Sequence, residues 1–345
     1  MNRAKLASDF AAATSRNPWK TFVLEAHADH DPTGLLEDAF VNSRVEPTED
    51  AYLHRLVGDV NFVVDHIDHR FWNLHTTQPT GEAMPYLRRV VGSRRDLDWM
   101  WLPSDHLRGL WGTTTPTWVA TNFSSGRLTP STGEVDDLSL RVRGSAADQV
   151  LDLISTRYQT AVPHSQVGMD LVDEHFGLMT EFVSREGRFM AGGDNFGFHQ
   201  AIVQRVVARY RRFVEEAERR VLRWEELPEG GARPYGTPIT LRFSRPIPDL
   251  DYFIEQLFSA REPFRLWGLP RRDHTGLVEV EAVDLHVGQR LRFDVAAEWM
   301  RVYLFEGGCG NTVARLATNL QHHFDGALSI ADDELDALLR PVAKV

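Results

Sequence analysis

Apolar positions recur along this chain in short segments that switch between two periods. Residues 4–14 and 82–91 space their apolar side chains by three and four, with Met84, Leu87 and Val91 on one face, and predict helices. The same spacing at Tyr52, Leu53, Leu56 and Val57 predicts a helix beginning near Thr48, just after Pro47. Val60 to Ile67, Leu97 to Leu102 and Thr117 to Phe123 are short apolar runs and predict strands. The longest stripe joins Phe198, Ile202, Val206, Tyr210, Val214, Ala217 and Val221, which predicts one helix over about 196–224. Asp31-Pro32-Thr33-Gly34 marks a turn, and 15–47 otherwise looks irregular.

A second regularity is a repeated hexamer. Val172-Asp173-Glu174-His175-Phe176-Gly177 recurs as Val283-Asp284-Leu285-His286-Val287-Gly288. The flanks of both copies read as strand, helix, three strands, helix, so a duplicated β-α-β-β-β-α unit is expected. The fold class that follows is α+β: an N-terminal α+β domain, then two tandem units forming a pseudo-twofold, helix-backed antiparallel sheet. The boundaries are 1–124 for the N-terminal domain, 136–225 for the first unit, 237–328 for the second and 329–345 for a C-terminal helix and tail. Ser124 to Glu134 is rich in Ser, Thr, Gly and Pro, so 125–135 is taken as a linker. Glu229-Gly230-Gly231 places a second linker at 226–236. The order of elements is topologically similar to the saddle of TATA-binding proteins, whose sheet contacts nucleic acid, without a shared motif.

Composition narrows the function classes. Hydrophobic residues make up 42% and charged residues 25%, which is enough to build packed cores. A net charge of −11 argues against non-specific nucleic-acid binding. Lysine occurs only at 5, 20 and 344, so arginine carries nearly all positive charge, as in proteins from GC-rich bacterial genomes. The single cysteine, Cys309, excludes an intramolecular disulfide and a thiolate zinc finger. No apolar stretch reaches membrane-spanning length, so no membrane partner and a cytoplasmic location are expected.

Five groups of residues could carry chemistry. Alternation along a strand puts Asp173 with His175, and Asp284 with His286, on one face. If Val283, Leu285 and Val287 face the core, both pairs look away from the helices, where converging Asp and His could hold a divalent metal. His27 and His30 in HADHD are further metal candidates. Arg141, Arg143, Arg242, Arg290, Arg292 and Tyr303 are expected on the same open face, making it polar and mixed in charge. Gly192, Gly193 and Asn195 before one helix, and Gly307, Gly308 and Asn311 before another, suit either an N-cap or an anion cradle. Trp99, Trp101 and Trp111, near Asp96, Asp98, Asp105 and His106, are either core or an aromatic pocket.

No motif implies a cofactor: P-loop, dinucleotide-binding and serine-nucleophile signatures are absent. The expected function is a binding or adaptor protein that holds a protein or peptide partner on the open sheet face. A metal-dependent hydrolase using Asp and His, and a nucleic-acid binder using the arginines, are the alternatives.

Overall fold

The computed structural model describes residues 1–12, 18–28, 31–112, 116–130, 136–158, 161–173, 177–193, 195–227 and 229–340. The chain forms two compact units, each discontinuous in sequence. Unit 1 comprises Met1–Met100 and Gly168–Ala208, and unit 2 comprises Trp101–Val167 and Arg209–Val345.

The first hundred residues run α1 (Arg3–Ala11), β1 (Trp19–Ala26), α2 (Pro32–Ala39), β2 (Ser43–Pro47), β3 (Leu53–Gly58), β4 (Phe62–Asp65), β5 (Phe71–Thr76), α3 (Thr80–Ser93) and β6 (Leu97–Trp99). Next come α4 (Ser104–Arg108), β7 (Trp118–Ser124), β8 (Asp137–Arg143), α5 (Ala147–Tyr158), β9 (Gln166–Asp173), β10 (Gly177–Ser184), β11 (Arg188–Gly192) and α6 (Phe196–Arg219). A ribbon of β12 (Arg223–Glu226) and β13 (Ala232–Tyr235) leads into β14 (Ile239–Arg242), α7 (Leu250–Leu257), β15 (Leu266–Arg272), β16 (Val278–Asp284), β17 (Arg290–Ala296) and β18 (Trp299–Leu304). Helix α8 (Asn311–His323), β19 (Ser329–Ile330) and α9 (Asp333–Leu339) close the chain.

The fold class is therefore mixed α+β with antiparallel sheets. Its internal parallel lies between residues 19–99 and 239–330. Both run β-α-β-β-β-β-α-β. Their strand orders also match: β2-β3-β4-β5-β1, with β6 added on β1, against β15-β16-β17-β18-β14-β19. In each, the first strand closes the sheet by pairing antiparallel with the fifth.

Residues 136–225 show the expected β-α-β-β-β-α order, but their pairings differ from those of 239–330. Strand β11 pairs with β1, and β8 pairs with β7, so this stretch is divided between the two units. Residues 239–330 also hold one more strand than the three expected after their first helix. That strand, β15 (LWGLPRR), looks like a loop in sequence because of Gly268 and Pro270. It lies at a sheet edge, where a proline needs no ladder partner for its nitrogen.

Two further expectations change. The helix expected near Thr48 is instead β3, paired with β2 in a stretch that looked irregular. Four apolar residues in so short a window fit either period, and cross-strand pairing decides between them. The second linker, 226–236, instead contains β13 and the last residue of β12, which pair as a ribbon whose Trp224 is exposed. In the first linker, Ser125–Arg127 form a 3-10 turn, and 131–135 lie outside the described residues.

Each unit has its own core. In unit 2, alternate residues of the strands face inward: Ile239 and Leu241, Val278, Val280 and Ala282, Leu291, Phe293 and Val295, Met300 and Val302. Helix α8 is buried over nearly its whole length, so its polar residues need internal partners. In unit 1, Phe22 meets Phe62 edge-on at 6.3 Å, and Phe62 stacks on Tyr86 of α3 at 6.1 Å. The other side of β1 is covered by α1 and the start of α6, where Phe10 lies 5.3 Å from Trp19 and 5.2 Å from Phe196.

Candidate functional site

In unit 2 the sheet face turned away from the buried residues carries Thr240 and Arg242 on β14, Trp299, Arg301 and Tyr303 on β18, and Arg290 and Arg292 on β17. Strict alternation dictates this, because their neighbours Leu241, Met300, Val302, Leu291 and Phe293 are buried. Towards β16 the face neutralises itself. Arg290 pairs with Glu281 at 2.8 Å, Arg292 with Glu279 at 2.8 Å and Asp294 at 3.3 Å, and the Tyr303 hydroxyl donates to Asp294 at 2.6 Å. Burial and that bond to the Asp294 carboxylate push the Tyr303 phenol up.

Towards β14 the balance changes. Thr240 sits opposite Arg301, and Arg242 opposite Trp299. A groove of about 600 Å³ opens over them, lined also by Ser244, Arg245 and Glu298. Arg301 lies over the Trp299 ring at 4.6 Å, and Arg245 over Phe324 at 5.3 Å while donating to the Phe324 carbonyl. Arg242 is exposed and has no ion-pair partner among the described residues. Three guanidiniums against one carboxylate make this groove a positive site on an acidic chain. Arg141 and Arg143 are exposed too, but on β8, which belongs to a different sheet.

Asp284 and His286 do not share this face. Both are fully buried. The inward parity of β16 is set by Val278, Val280 and Ala282 and continues to Asp284, so Val283 is the residue that faces out. Asp284 accepts from Arg315 of α8 at 2.5 Å, from the Thr312 hydroxyl and from the His286 amide at 2.9 Å. Arg315 is itself buried and also donates to the Phe264 carbonyl at 2.9 Å. This carboxylate is an internal strut and leaves little capacity for a metal. His175 and His30 lie outside the described residues, as does the side chain of Asp173. His27 is half-buried, 3.9 Å from Glu25.

The glycine-rich turns cap helices. Asn195 accepts from the Phe198 amide at 2.9 Å, the N-cap geometry expected, with Gly192 ending β11 and Gly193 at φ +136°. Asn311 departs from expectation: it is the first residue of α8, fully buried, and accepts from the Tyr210 hydroxyl at 2.8 Å. Gly307, at φ +82°, and Gly308 make the turn before it. The anion at this helix start belongs to the protein, for the Gly310 amide donates to Glu218 at 2.9 Å. Trp99 and Trp101 are core residues, and Asp98 and His106 beside them in sequence are fully buried. Burial, and then the charge of Arg209, holds the His106 imidazole well below its usual range.

A second polar constellation lies within unit 1 and carries no local motif. Thr21 of β1 sits opposite His75 of β5, on the side of β1 that α1 and α6 cover. The Thr21 hydroxyl is 2.9 Å from His75 Nδ1 and 2.7 Å from His199 Nε2. His199 Nδ1 is 2.9 Å from Glu181 of β10. All four are buried. Burial, then the neighbouring His199, lowers the His75 pKa to about 3, and burial raises that of Glu181 against the opposing pull of His199. Their positions at 21, 75, 181 and 199 explain why no sequence window contains them.

A family described as MJECL33-like protein matches residues 2–338, and the chain belongs to that family. It is similar to the uncharacterized protein MJECL33 of Methanocaldococcus jannaschii, with 24% identity over 364 residues, covering 93% of this chain and 88% of that protein. Among the described residues no helix is long and apolar enough to cross a membrane.

Proposed function

We propose that the chain is a binding protein that holds an acidic segment of a protein partner in the arginine groove of β14 and β18. The observation that carries this reading is the local charge imbalance. Arg242, Arg245 and Arg301 line one groove with Glu298 as the single acid, while the arginines farther along the sheet are paired. Arginine presents a planar fork that fits carboxylates two bonds at a time, and the adjoining Trp299 ring offers an apolar surface to an extended segment. A peptide suits the surroundings better than a nucleic acid. A short acidic segment can place its carboxylates on the three groove arginines alone, whereas a nucleic acid carries charge along its whole length and finds the other arginines of the face, Arg290 and Arg292, already paired.

The test is fluorescence anisotropy with a labelled glutamate-rich peptide, beside a glutamine-rich peptide of equal length and a single-stranded oligonucleotide. Saturable binding of the glutamate peptide is expected, weakening as salt screens the groove. Arg242→Glu combined with Arg301→Glu should reduce affinity at least about tenfold, the equivalent of about 1.4 kcal/mol. Equal affinity in the double variant, or binding of the oligonucleotide alone, would refute the reading.

A further inference from the structure

His75 is 1% exposed and is among the residues lining an open cavity of about 370 Å³ within unit 1. The cavity wall also includes Trp19, Phe62, Arg55, Asn61 and Gln78. Of the two ring nitrogens, Nδ1 is engaged by Thr21, and Nε2 has no partner among the described residues. A buried nitrogen without a partner is costly, and in a native structure it calls for an explanation. Here the nitrogen ends a continuous row of hydrogen bonds, Glu181–His199–Thr21–His75.

We infer that this row is a proton wire ending at a ligand cavity, and that the cavity takes a small organic molecule bearing a weakly acidic O–H or N–H. A hydroxyl carries one hydrogen, so Thr21 donates to one imidazole and accepts from the other. With Glu181 ionised, His199 donates from Nδ1 to the carboxylate, Thr21 donates to His199 Nε2, and His75 donates from Nδ1 to Thr21. His75 Nε2 is then a bare lone pair. When a ligand X–H gives its proton to Nε2, the bonding pair stays on X as an anion. The His75 Nδ1 proton passes to Thr21, the Thr21 proton to His199 Nε2, and the His199 Nδ1 proton to Glu181. Each group ends with as many protons as it began, except Glu181, which is now a neutral acid. The net change is carboxylate plus X–H giving carboxylic acid plus X⁻.

The wire answers a physical difficulty. An imidazolium at His75 would be buried beside a second histidine, which disfavours it strongly. Relayed through Thr21, the incoming charge is cancelled at Glu181, whose neutral form is itself favoured by burial. The wall carries one charged side chain of each sign, Asp9 and Arg55, the latter also paired with Glu46 at 3.4 Å. The volume lies towards the small end of the range for small-molecule sites, about 300–1,000 Å³, and Trp19, 6.2 Å from the His75 ring, suits a ring.

The experiment uses full-length protein with ¹⁵N-labelled histidine and 4-nitrophenol as the probe. Binding should raise the phenolate absorbance saturably at a pH where the free phenol is largely protonated. In ring ¹⁵N spectra, the proton of His75 should move from Nδ1 to Nε2, and that of His199 should do the same. In Thr21→Val, which leaves the His75 Nδ1 proton without the acceptor that relays it, the phenolate signal and the responses of both histidines should be lost. No saturable phenolate signal would overturn the site. A His75 response without one at His199 in the unaltered protein would overturn the wire, as would a His199 response that survives Thr21→Val. The measurements on the unaltered protein stand whether or not the variant folds.

Discussion

Replacing Asp284 by alanine removes a carboxylate bonded to the fully buried Arg315 guanidinium in unit 2. Arg315 is 0% exposed and donates to Asp284 at 2.5 Å, and the Thr312 hydroxyl and His286 amide lose their acceptor as well. Removing one partner of a buried ion pair costs about 3–5 kcal/mol, because the survivor stays charged and desolvated. For a cooperative unit of about 200 residues, 1 kcal/mol lowers the midpoint by about 2–4 °C, so the expected fall is about 6–20 °C. Asp284→Leu combined with Arg315→Met should recover most of that loss, since an apolar pair of similar bulk replaces the ions without leaving a charge unpaired. Differential scanning calorimetry of the single and double variants measures both effects. Had Asp284 faced solvent, as strand alternation alone suggested, alanine would change stability by no more than about 0.5 kcal/mol. A midpoint lowered by less than about 2 °C, the effect of such a change, would refute the strut.

Three smaller perturbations test other parts of the fold. Asp148 lies 2.6 Å from His164 Nε2, and that bond holds its carboxyl below the usual range. The bond's contribution is therefore complete above the unfolded carboxyl value, about 3.9, and is lost as pH falls through the lower folded value. Urea titrations should show the stability gap between the native protein and Asp148→Asn narrowing at low pH, and a gap that does not narrow would exclude this coupling. Gly310→Ala would place a methyl far inside van der Waals contact with the Val214 carbonyl oxygen on α6, forcing backbone apart. A loss of about 1–3 kcal/mol is expected in chemical denaturation, and an unchanged midpoint would mean that α8 shifts freely. Asn195→Ala removes the cap of α6 and should cost about 1 kcal/mol by the same assay.

Periodicity along the chain determined much of the local structure. The stripe from Phe198 to Val221 lies mainly in the long helix α6, and alternation in β14, β17 and β18 put Arg242, Arg290, Arg292 and Tyr303 on one open face. Both rest on contacts between near neighbours in sequence, which short-range patterns encode. Tertiary structure alone decided the rest. Asp284 is buried because Arg315, on a different element, compensates its charge, and no strand pattern records that partner. The hexamer pointed to 136–225 and 237–328 as copies. The matching strand order lies instead in 19–99 and 239–330, because strand order depends on which edges meet in space. The groove needs β14 to close on β18 across a helix and three other strands. The wire needs residues 21, 75, 181 and 199 within hydrogen-bond reach. Local propensity selects helix or strand, but a polar site is assembled by long-range pairing, whose energy is distributed over the packed core and not written at any one position.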